Sequence, residues 1–502
     1  MRDLIARNRS KATWLLAATV MLAAPGIAQN APRAGAPPTP AATPTPGTPA
    51  MVQAVPQAVP LPQLSPAQAS QLITLLSEAR FAQGLVHAGA AAITPDSNDA
   101  LVRATLDYAH AVHSGRLDPE DFQKDWGLRP APYDPLPAFA AAVKADKLQR
   151  WIDSLPPPWA GYEGLKAGLD TYRRIEASGG WAPLAAGADL AQGASGPRVA
   201  ALRARLAIED SNVTVAGDKF DADLTEAVKR AQRRYGLNPT GTFAAQTRAA
   251  LNVPASDRVR QIMANMERWR WMPAELPRNR IQVNIAAASL AVFEGDAPIA
   301  SMKAVTGAPG GRETPMLASR IHSIVLNPPW NVPAGIAAAE LFPKGPAYLA
   351  SHGFKVIGEG ANRRLQQQAG PQSALGRYKF DFDNPYAVYL HDTPSQATFA
   401  SFNRLASHGC IRLEKPAALA RLLLRNDPAW SPATIQAAVD KAVTVRVQLR
   451  PQDQVAVYLL YWTAYASANG TMNFRGDPYG WDKTLAAKIE RRSAQRAAAV
   501  GS

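Results

Sequence analysis

Hydrophobic residues in the first part of the chain recur at the three-to-four-residue spacing of helices. A stripe of leucines follows Ser65 and Gln68, which together make a capping box at a helix start. A second stripe predicts a helix over about residues 99–113. Further helical or loop packing is marked by Trp151, Trp159 and Trp181. These patterns predict a helical scaffold domain over residues 64–185.

Three shorter helical stripes follow within residues 189–253. The first runs through Val199, the second through Leu224 and the third through Thr247. Gly236 is placed to cap the second stripe, because glycine accepts the left-handed conformation that often ends a helix. We therefore predict a small three-helix domain in this part of the chain.

The hydrophobic period changes to alternation at about Arg278. Apolar and polar positions alternate over 281–285 and again before a turn at 294–296, which is typical of paired strands. Further strands are predicted near 299–305, 321–326, 387–390 and 443–449. A helix is predicted to begin at Pro416. The pattern as a whole predicts a β-rich domain over residues 275–450.

Two stretches of this half depart from the strand pattern. Residues 334–380 have weak periodicity, which predicts an insertion able to act as a lid. Beyond residue 450 we predict a helical extension with a basic tail, reaching residue 502. Its helix would carry the aromatic residues Tyr458, Tyr461, Trp462 and Tyr465. The predicted fold class is α+β, divided among several domains.

The N-terminus has the pattern of an export signal. Residues 1–28 combine a basic start, an apolar stretch over 14–24 and small residues before Ala28, where cleavage would occur. The alternative is an uncleaved anchor, although the apolar stretch is shorter than the ~20 residues of a bilayer span. Residues 29–63 follow as a linker, in which 10 of 35 residues are proline. We expect an exported, periplasmic protein.

The length and net charge of the chain limit its number of domains and its possible binding partners. A chain of 502 residues predicts roughly three domains. Its 54 basic and 40 acidic residues leave a net charge of +14. A basic surface suits nucleic acid or an anionic cell envelope, or simply favours solubility. Export and the lack of a visible aromatic-basic binding module argue against nucleic acid.

The chain contains one cysteine, Cys410. One thiol excludes an internal disulfide framework, a cysteine-rich zinc site and an iron–sulfur cluster. It follows Gly409, where a substrate can approach the backbone closely, and two histidines lie near it in sequence, His408 and His391. An imidazole can take the proton of a thiol, so the pattern favours a cysteine nucleophile. Spacing alone leaves open which histidine is the base.

These residues carry a family resemblance. His391, fifteen intervening residues and Ser407-His408-Gly409-Cys410 resemble the active-site signature of L,D-transpeptidases with a YkuD catalytic domain. Strings at 327–333, 374–380 and 384–394 resemble the longer, YcbB-like periplasmic branch. Some family members have an asparagine two positions after the cysteine, where this chain has Arg412.

Residues 189–253 carry a second resemblance, to peptidoglycan-binding type 1 modules. The matching strings include Gly196-x-Arg198-Val199, Phe220-Asp221, Gly236-Leu237 and Leu251-Asn252. This resemblance implies cell-wall binding, with a spacer as the alternative. The YcbB-like branch joins such a module to a helical scaffold and to a catalytic domain with an inserted capping segment.

The first resemblance implies a role for each site residue. Cys410 would be the nucleophile and His391 the general acid and base, while His408 and Gly409 would be structural or offer backbone N–H groups to an oxyanion. Arg412 would bind a substrate carboxylate, with a structural salt bridge as the alternative. The rest of the substrate cleft would be formed by Ser407, Tyr389, Trp330 and Asn331. Aromatic core packing is the alternative for Tyr389 and Trp330.

The implied activity is the formation of 3→3 cross-links between peptidoglycan stem peptides through a thioester. An L,D-carboxypeptidase or a D-amino-acid exchange enzyme would use the same nucleophile with a different acceptor. An inactive wall-binding protein is the alternative from another class. The resemblance implies no metal and no organic cofactor.

Overall fold

The structure, a computed structural model, describes residues 60–87, 89–90 and 94–500. The predicted signal and the predicted linker up to residue 59 lie outside the described residues. Within these ranges, no helix combines the length and the hydrophobicity needed to cross a bilayer.

The described part of the N-terminal domain is helical, and its first helix begins as the sequence predicts. The Ser65 side chain accepts from the N–H of Gln68, and the Gln68 side chain accepts from the N–H of Ser65. Leu72 and Leu76 are fully buried on the core side of this helix. The helices of this domain are α1 (Pro66–Ala82), α2 (Asn98–His113), α3 (Leu136–Ala145), α4 (Leu148–Asp153) and α5 (Ala160–Ala177).

The three helices predicted in the next domain are confirmed. They are α6 (Pro197–Ala207), α7 (Ala222–Arg234) and α8 (Ala245–Leu251). A fourth helix, α9 (Ala255–Trp269), was not predicted. Most of its residues are buried, and it packs along α5. Val259, Ile262, Met263 and Met266 recur along it at helical spacing, so its sequence does contain the signal of a helix.

The C-terminal half is built on β-strands. In chain order they are β1 (Asn279–Asn284), β2 (Ser289–Glu294), β3 (Ala297–Gly307), β4 (Leu317–Leu326), β5 (Trp330–Asn331), β6 (Phe354–Ile357), β7 (Arg364–Gln367), β8 (Tyr378–Phe382), β9 (Leu390–His391), β10 (Leu405–Ser407), β11 (Ile411–Leu413), β12 (Val445–Gln448), β13 (Val455–Leu460), β14 (Ala464–Ala466) and β15 (Met472–Phe474).

The main sheet of this half closes on itself. Its strand order is β3-β11-β9-β8-β4-β13-β1-β2, and β2 pairs with β3 again, while β10 and β12 pair with β3 and β4. Most of its pairs are antiparallel, but the pairs β1–β13, β3–β10 and β9–β11 run parallel. The helix predicted at Pro416 is confirmed, and the later helices are α10 (Ala334–Ile336), α11 (Gly345–Ser351), α12 (Pro416–Leu423), α13 (Pro432–Asp440) and α14 (Trp481–Val500).

The aromatic helix predicted after residue 450 is wrong. Tyr458 lies in β13, which pairs with β1 on one side and β4 on the other, and Tyr465 lies in the β14–β15 hairpin. All but the first residue of β13 are buried. A strand buried on both faces shows no alternation, so its apolar run was taken for a helix. The main sheet therefore extends beyond residue 450, and the helical segments described there are a 3₁₀ turn (Pro451–Asp453) and α14.

The predicted insertion has its own small fold, but its predicted end at residue 380 is too late, because residues 378–380 belong to β8 of the main sheet. Its helical part runs through α10, a five-residue π-helical turn (Ala337–Leu341) and α11. Strands β6 and β7 pair with β5 in a separate three-stranded sheet. The helical part and this small sheet share a separate apolar cluster, which consists of Val332, Ala337, Leu341, Leu349 and Leu365. A three-stranded sheet over its own core explains why the segment shows no single period.

Candidate active site

Cys410 lies in the tight loop between β10 and β11. Gly409 has a φ of 110°, a backbone conformation that residues with a side chain rarely adopt, so glycine is favoured at this position. The Ser407 hydroxyl accepts from the Gly409 N–H at 3.2 Å and donates to the Cys410 carbonyl oxygen at 2.6 Å. Ser407 is buried, so its hydroxyl shapes the loop from inside.

His391 reaches the same region because β9 lies beside β11. In their parallel register His391 is opposite Arg412, and the Ile411 N–H donates to the Tyr389 carbonyl oxygen at 3.0 Å. The Nδ1 atom of His391 lies 2.5 Å from the carbonyl oxygen of Asp392. A carbonyl oxygen only accepts, so Nδ1 carries the proton and Nε2 has the free lone pair.

His391 is held neutral. Burial, followed by the positive charges of Arg412 and Lys379, lowers the pKa of His391 to about 3. Lys379 lies opposite His391 in the β8–β9 register. The imidazole is therefore a free base over the whole neutral range.

The thiol of Cys410 is also held neutral. Burial raises its pKa, while hydrogen bonds with Tyr389 and the charges of Lys379 and Arg412 oppose the rise. The S–H donates to the carbonyl oxygen of Ala387 at 4.0 Å. Ala387 has a φ of 54°, a left-handed conformation that costs an L-residue roughly 1–2 kcal/mol. The resting site thus has a neutral thiol just before β11 and a neutral imidazole on the neighbouring strand β9.

His408 points the other way. Its Nε2 atom lies 2.7 Å from Oε1 of Glu340, which belongs to the π-helical turn of the insertion. The Nη2 atom of Arg312, which lies in the β3–β4 loop, is 3.8 Å from the same Glu340 oxygen. His408 is exposed, in contrast to the buried His391. The two histidines that spacing could not separate therefore have different partners.

The predicted cleft residues divide into two groups. Tyr389 lies with its ring centroid 5.6 Å from that of His391, and the ammonium group of Lys379 lies 4.3 Å from its ring centroid. The Tyr389 hydroxyl shares hydrogen bonds with Cys410 and with Trp330, so Tyr389 borders Cys410 and Trp330 lies behind it. Asn331 is exposed, and its side chain accepts from Gln366 at 2.8 Å in the inserted sheet.

Arg412 is half-buried beside His391 and Cys410. Burial lowers its pKa, and its Nε atom has no hydrogen-bond partner. Within the described part of the chain, no carboxylate lies within ion-pair distance of its guanidinium group. The structural salt bridge considered for Arg412 is therefore absent from the described residues.

Several supporting residues escaped the sequence analysis. Thr314 is fully buried, donates to the Gly409 carbonyl oxygen at 2.7 Å and accepts from the Gly307 N–H at 2.8 Å. The Tyr479 hydroxyl donates to the Gly307 carbonyl oxygen at 2.6 Å. These residues come from distant parts of the chain, so no local spacing links them to Cys410. Lys379 stood in a matched string, although nothing there indicated its charge effect on His391.

Three segments of the chain match known protein families. Residues 278–435 match the YkuD family, described as the L,D-transpeptidase catalytic domain. Residues 47–169 match a family described as a scaffold domain. Residues 195–251 match the family described as "Putative peptidoglycan binding domain". The three matches follow one another in the order that the sequence predicts.

Among curated proteins, a "Putative L,D-transpeptidase" of Haemophilus influenzae is 30% identical over 250 residues, which is 46% of this chain and 50% of that protein. The chain thus spans about half the length of this relative. An L,D-transpeptidase structure from Stackebrandtia nassauensis is 14% identical with a TM-score of 0.23, covering 56% of this chain and 97% of that chain. One from Xylanimonas cellulosilytica is 16% identical with a TM-score of 0.18, covering 55% and 99%.

The two structures carry no argument at such scores, and placement in the YcbB-like branch stays a prediction. The family matches and the curated relative agree with the motif around Cys410. Residues 278–435 thus match the L,D-transpeptidase catalytic domain family, and matches to a scaffold domain and to a putative peptidoglycan binding domain precede them in the chain.

Proposed function

We propose that the protein is an L,D-transpeptidase that forms 3→3 cross-links in peptidoglycan through a thioester on Cys410. The observation that best supports the proposal is the neutral state of His391. This residue lies on β9, the strand that pairs with β11 directly after Cys410, and its Nε2 atom has a free lone pair. A neutral base next to a neutral thiol is the arrangement that nucleophilic attack on an amide requires.

The first half-reaction acylates the enzyme. Nε2 of His391 takes the thiol proton as Sγ bonds to the carbonyl carbon of the third residue in a donor tetrapeptide. The tetrahedral intermediate collapses when the bond to D-alanine breaks and His391 returns the proton to the leaving amine. A thioester and free D-alanine remain.

The second half-reaction releases the product. The side-chain amine of another stem's third residue attacks the thioester carbonyl, and His391 takes one amine proton. The C–S bond then breaks, the new amide forms, and the proton returns to sulfur. The enzyme is regenerated with no net change in protons.

Backbone N–H groups would stabilise the oxyanion of both tetrahedral intermediates. The Gly409 N–H already donates to Ser407, so its predicted part in this stabilisation is weakened. The N–H groups of His408 and Cys410 have no acceptor among the described residues, and we assign the oxyanion to them.

Arg412 is proposed to bind a carboxylate of the stem peptide. Its guanidinium group is half-buried without an anionic partner among the described residues, which is a costly state unless a ligand supplies the anion. A bidentate carboxylate contact would also orient the donor beside Cys410. Tyr389 and Trp330 would form the adjacent wall of the cleft.

The decisive experiment is incubation of the purified protein with tetrapeptide muropeptides, followed by mass spectrometry. We expect cross-linked dimers together with released D-alanine. Tripeptide without dimers would make the protein an L,D-carboxypeptidase. Incorporation of an added D-amino acid without dimers would make it an exchange enzyme. Unchanged substrate would leave only a wall-binding protein and refute the proposal.

The insertion is proposed to keep water from the thioester, and Glu340 ties it to the motif through His408 and Arg312. We expect Glu340→Gln to loosen this contact and to raise the ratio of tripeptide to dimer by about threefold, since an ion pair between exposed side chains contributes about 0.2–1 kcal/mol. Liquid chromatography of the products measures the ratio. Glu359→Gln, elsewhere on the insertion, is the matched control, and equal ratios in the two variants would contradict the capping role.

We also propose that the protein acts in the periplasm. Both peptidoglycan-related domains suit a site at the cell wall, and the N-terminal signal pattern suits export. Release of the protein by osmotic shock would support this location, and retention with cytoplasmic markers would contradict it.

A further inference from the structure

A short segment of the scaffold domain touches both backbone segments that flank Cys410. We call residues 124–128 the scaffold clamp. Trp126 forms an isolated parallel bridge with Met316, and the Met316 N–H donates to the Asp125 carbonyl oxygen at 2.8 Å. Met316 is two residues after Thr314, whose hydroxyl donates to the Gly409 carbonyl oxygen. One side of the cysteine loop is thus linked to the clamp.

The other side is linked through Tyr386. Its hydroxyl donates to the Lys124 carbonyl oxygen at 2.7 Å, a contact between residues 262 positions apart. The next residue is Ala387, whose carbonyl oxygen accepts from the Cys410 thiol. Val388 follows, and its side chain lies 3.7 Å from where a Cβ on Gly409 would stand.

The segment that carries Ala387 is held from within as well. The Asn384 side chain accepts from the N–H groups of Tyr386 and Val388, each at 3.1 Å, and donates to the Val388 carbonyl oxygen at 2.8 Å. Ala387 adopts a positive φ without being glycine. Such a conformation persists only where the surroundings over-determine it. Asn384 supplies the constraint within the loop, and the Tyr386 contact with the clamp supplies the constraint from outside.

The clamp is anchored in the buried core by Trp126. Trp126 is fully buried, and its ring lies 5.7 Å from that of Trp271 and 6.0 Å from that of Trp481. Gly127 has no room for a side chain, because a Cβ would lie 2.6 Å from the Tyr386 hydroxyl and 3.0 Å from the Met316 carbonyl oxygen. Gly127 thus allows the clamp to contact both flanking segments at once.

We propose that the scaffold clamp positions the catalytic thiol, with Gly127 and Tyr386 as its positioning residues. The clamp fixes the Ala387 carbonyl oxygen that orients the S–H and the Thr314 hydroxyl that holds the Gly409 carbonyl. The scaffold domain is therefore part of the machinery that sets cysteine reactivity, although it contributes no group that touches the substrate.

The test uses Gly127→Ala and Tyr386→Phe in the full chain. Gly476→Ala is the matched control, because its added Cβ would meet nothing within 4 Å and its φ is not positive. Two quantities are measured for each protein: the pH midpoint of Cys410 alkylation by iodoacetamide, and kcat and KM for acylation by a tetrapeptide muropeptide. Thermal unfolding is recorded alongside them.

We expect Gly127→Ala to reduce kcat about tenfold with little change in KM, since a displacement of about 1 Å can cost 10²-fold. Tyr386→Phe should reduce it about threefold, in line with one lost hydrogen bond. In both variants the alkylation midpoint should fall toward that of an ordinary thiol, because the S–H loses its acceptor and gains water. Gly476→Ala should match the wild type.

A purely structural contact would lower the unfolding temperature and leave kcat and the midpoint unchanged, and that result would overturn the inference. The acylation readout rests on the proposed function, whereas the alkylation midpoint does not. If the wild type forms no acyl-enzyme, the proposed function fails, and the alkylation midpoint alone decides whether the clamp positions the thiol.

Discussion

Replacement of Cys410 by alanine is expected to abolish formation of the acyl-enzyme. Intact-protein mass spectrometry of the wild type with a tetrapeptide donor should show an adduct equal to the donor minus D-alanine. The variant should show none, because the chain has no second thiol. Loss of a nucleophile costs roughly 10⁴-fold or more in kcat, so dimer formation should fall below detection.

The control is that the variant keeps its fold. Cys410 is only partly exposed, and truncation of its small side chain removes one sulfur atom from a loop held by Ser407 and Thr314. We expect the free energy of unfolding to change by about 1 kcal/mol or less. Cross-linked dimers from a folded Cys410→Ala protein, at the rate of the wild type, would refute the role of this residue.

Local signals in the sequence were sufficient for elements that face solvent on one side. The capping box of Ser65 and Gln68 forms as predicted, and the module's three helices begin close to their predicted stripes. Helix α9 was missed although Val259, Ile262 and Met266 recur at helical spacing. Strand β13 was misassigned because neighbours cover both of its faces. Burial on all sides removes the periodic contrast on which sequence analysis depends.

At the candidate active site, the sequence likewise revealed the residues of the local motif but not the residues that come from distant parts of the chain. Cys410, His391 and their neighbours lie within twenty residues of one another, so a short motif contains them. Thr314 and Glu340 contact the motif from other elements, and Lys124 contacts Tyr386 in its flanking loop, and only the folded chain brings them together. Spacing also could not separate the two histidines, because their roles depend on burial and on the partners of each ring nitrogen.

Replacement of His391 by glutamine is expected to reduce acylation at neutral pH by about 10² to 10⁴-fold, which is the usual contribution of a general base. The wild-type rate should stay level as the pH falls from 8 to about 5, because burial and the charges of Arg412 and Lys379 lower the pKa of His391 to about 3. A base with an ordinary pKa would instead lose activity below about pH 6.5. Initial rates of acyl-enzyme formation across this range measure both effects.

The defect of His391→Gln should narrow at high pH. Burial raises the pKa of the Cys410 thiol, so at neutral pH the thiol depends on a base to take its proton. Above the thiol pKa the thiolate forms without His391, and the variant should recover in step with its alkylation rate. An equal defect at every pH would indicate that His391 acts on the leaving amine or only shapes the site.

Stability gives an independent check on the same residue. The folded protein keeps His391 neutral, while the unfolded chain binds a proton near pH 6.5, so the unfolded state gains protons as the pH falls. The stabilisation is therefore fully present above about pH 6.5 and declines as the pH falls from there toward 3. We expect His391→Gln to lose less stability than the wild type between pH 6.5 and 4 in chemical denaturation. Parallel curves for the two proteins would contradict a depressed pKa for His391 and, with it, the neutral base on which the proposed mechanism depends.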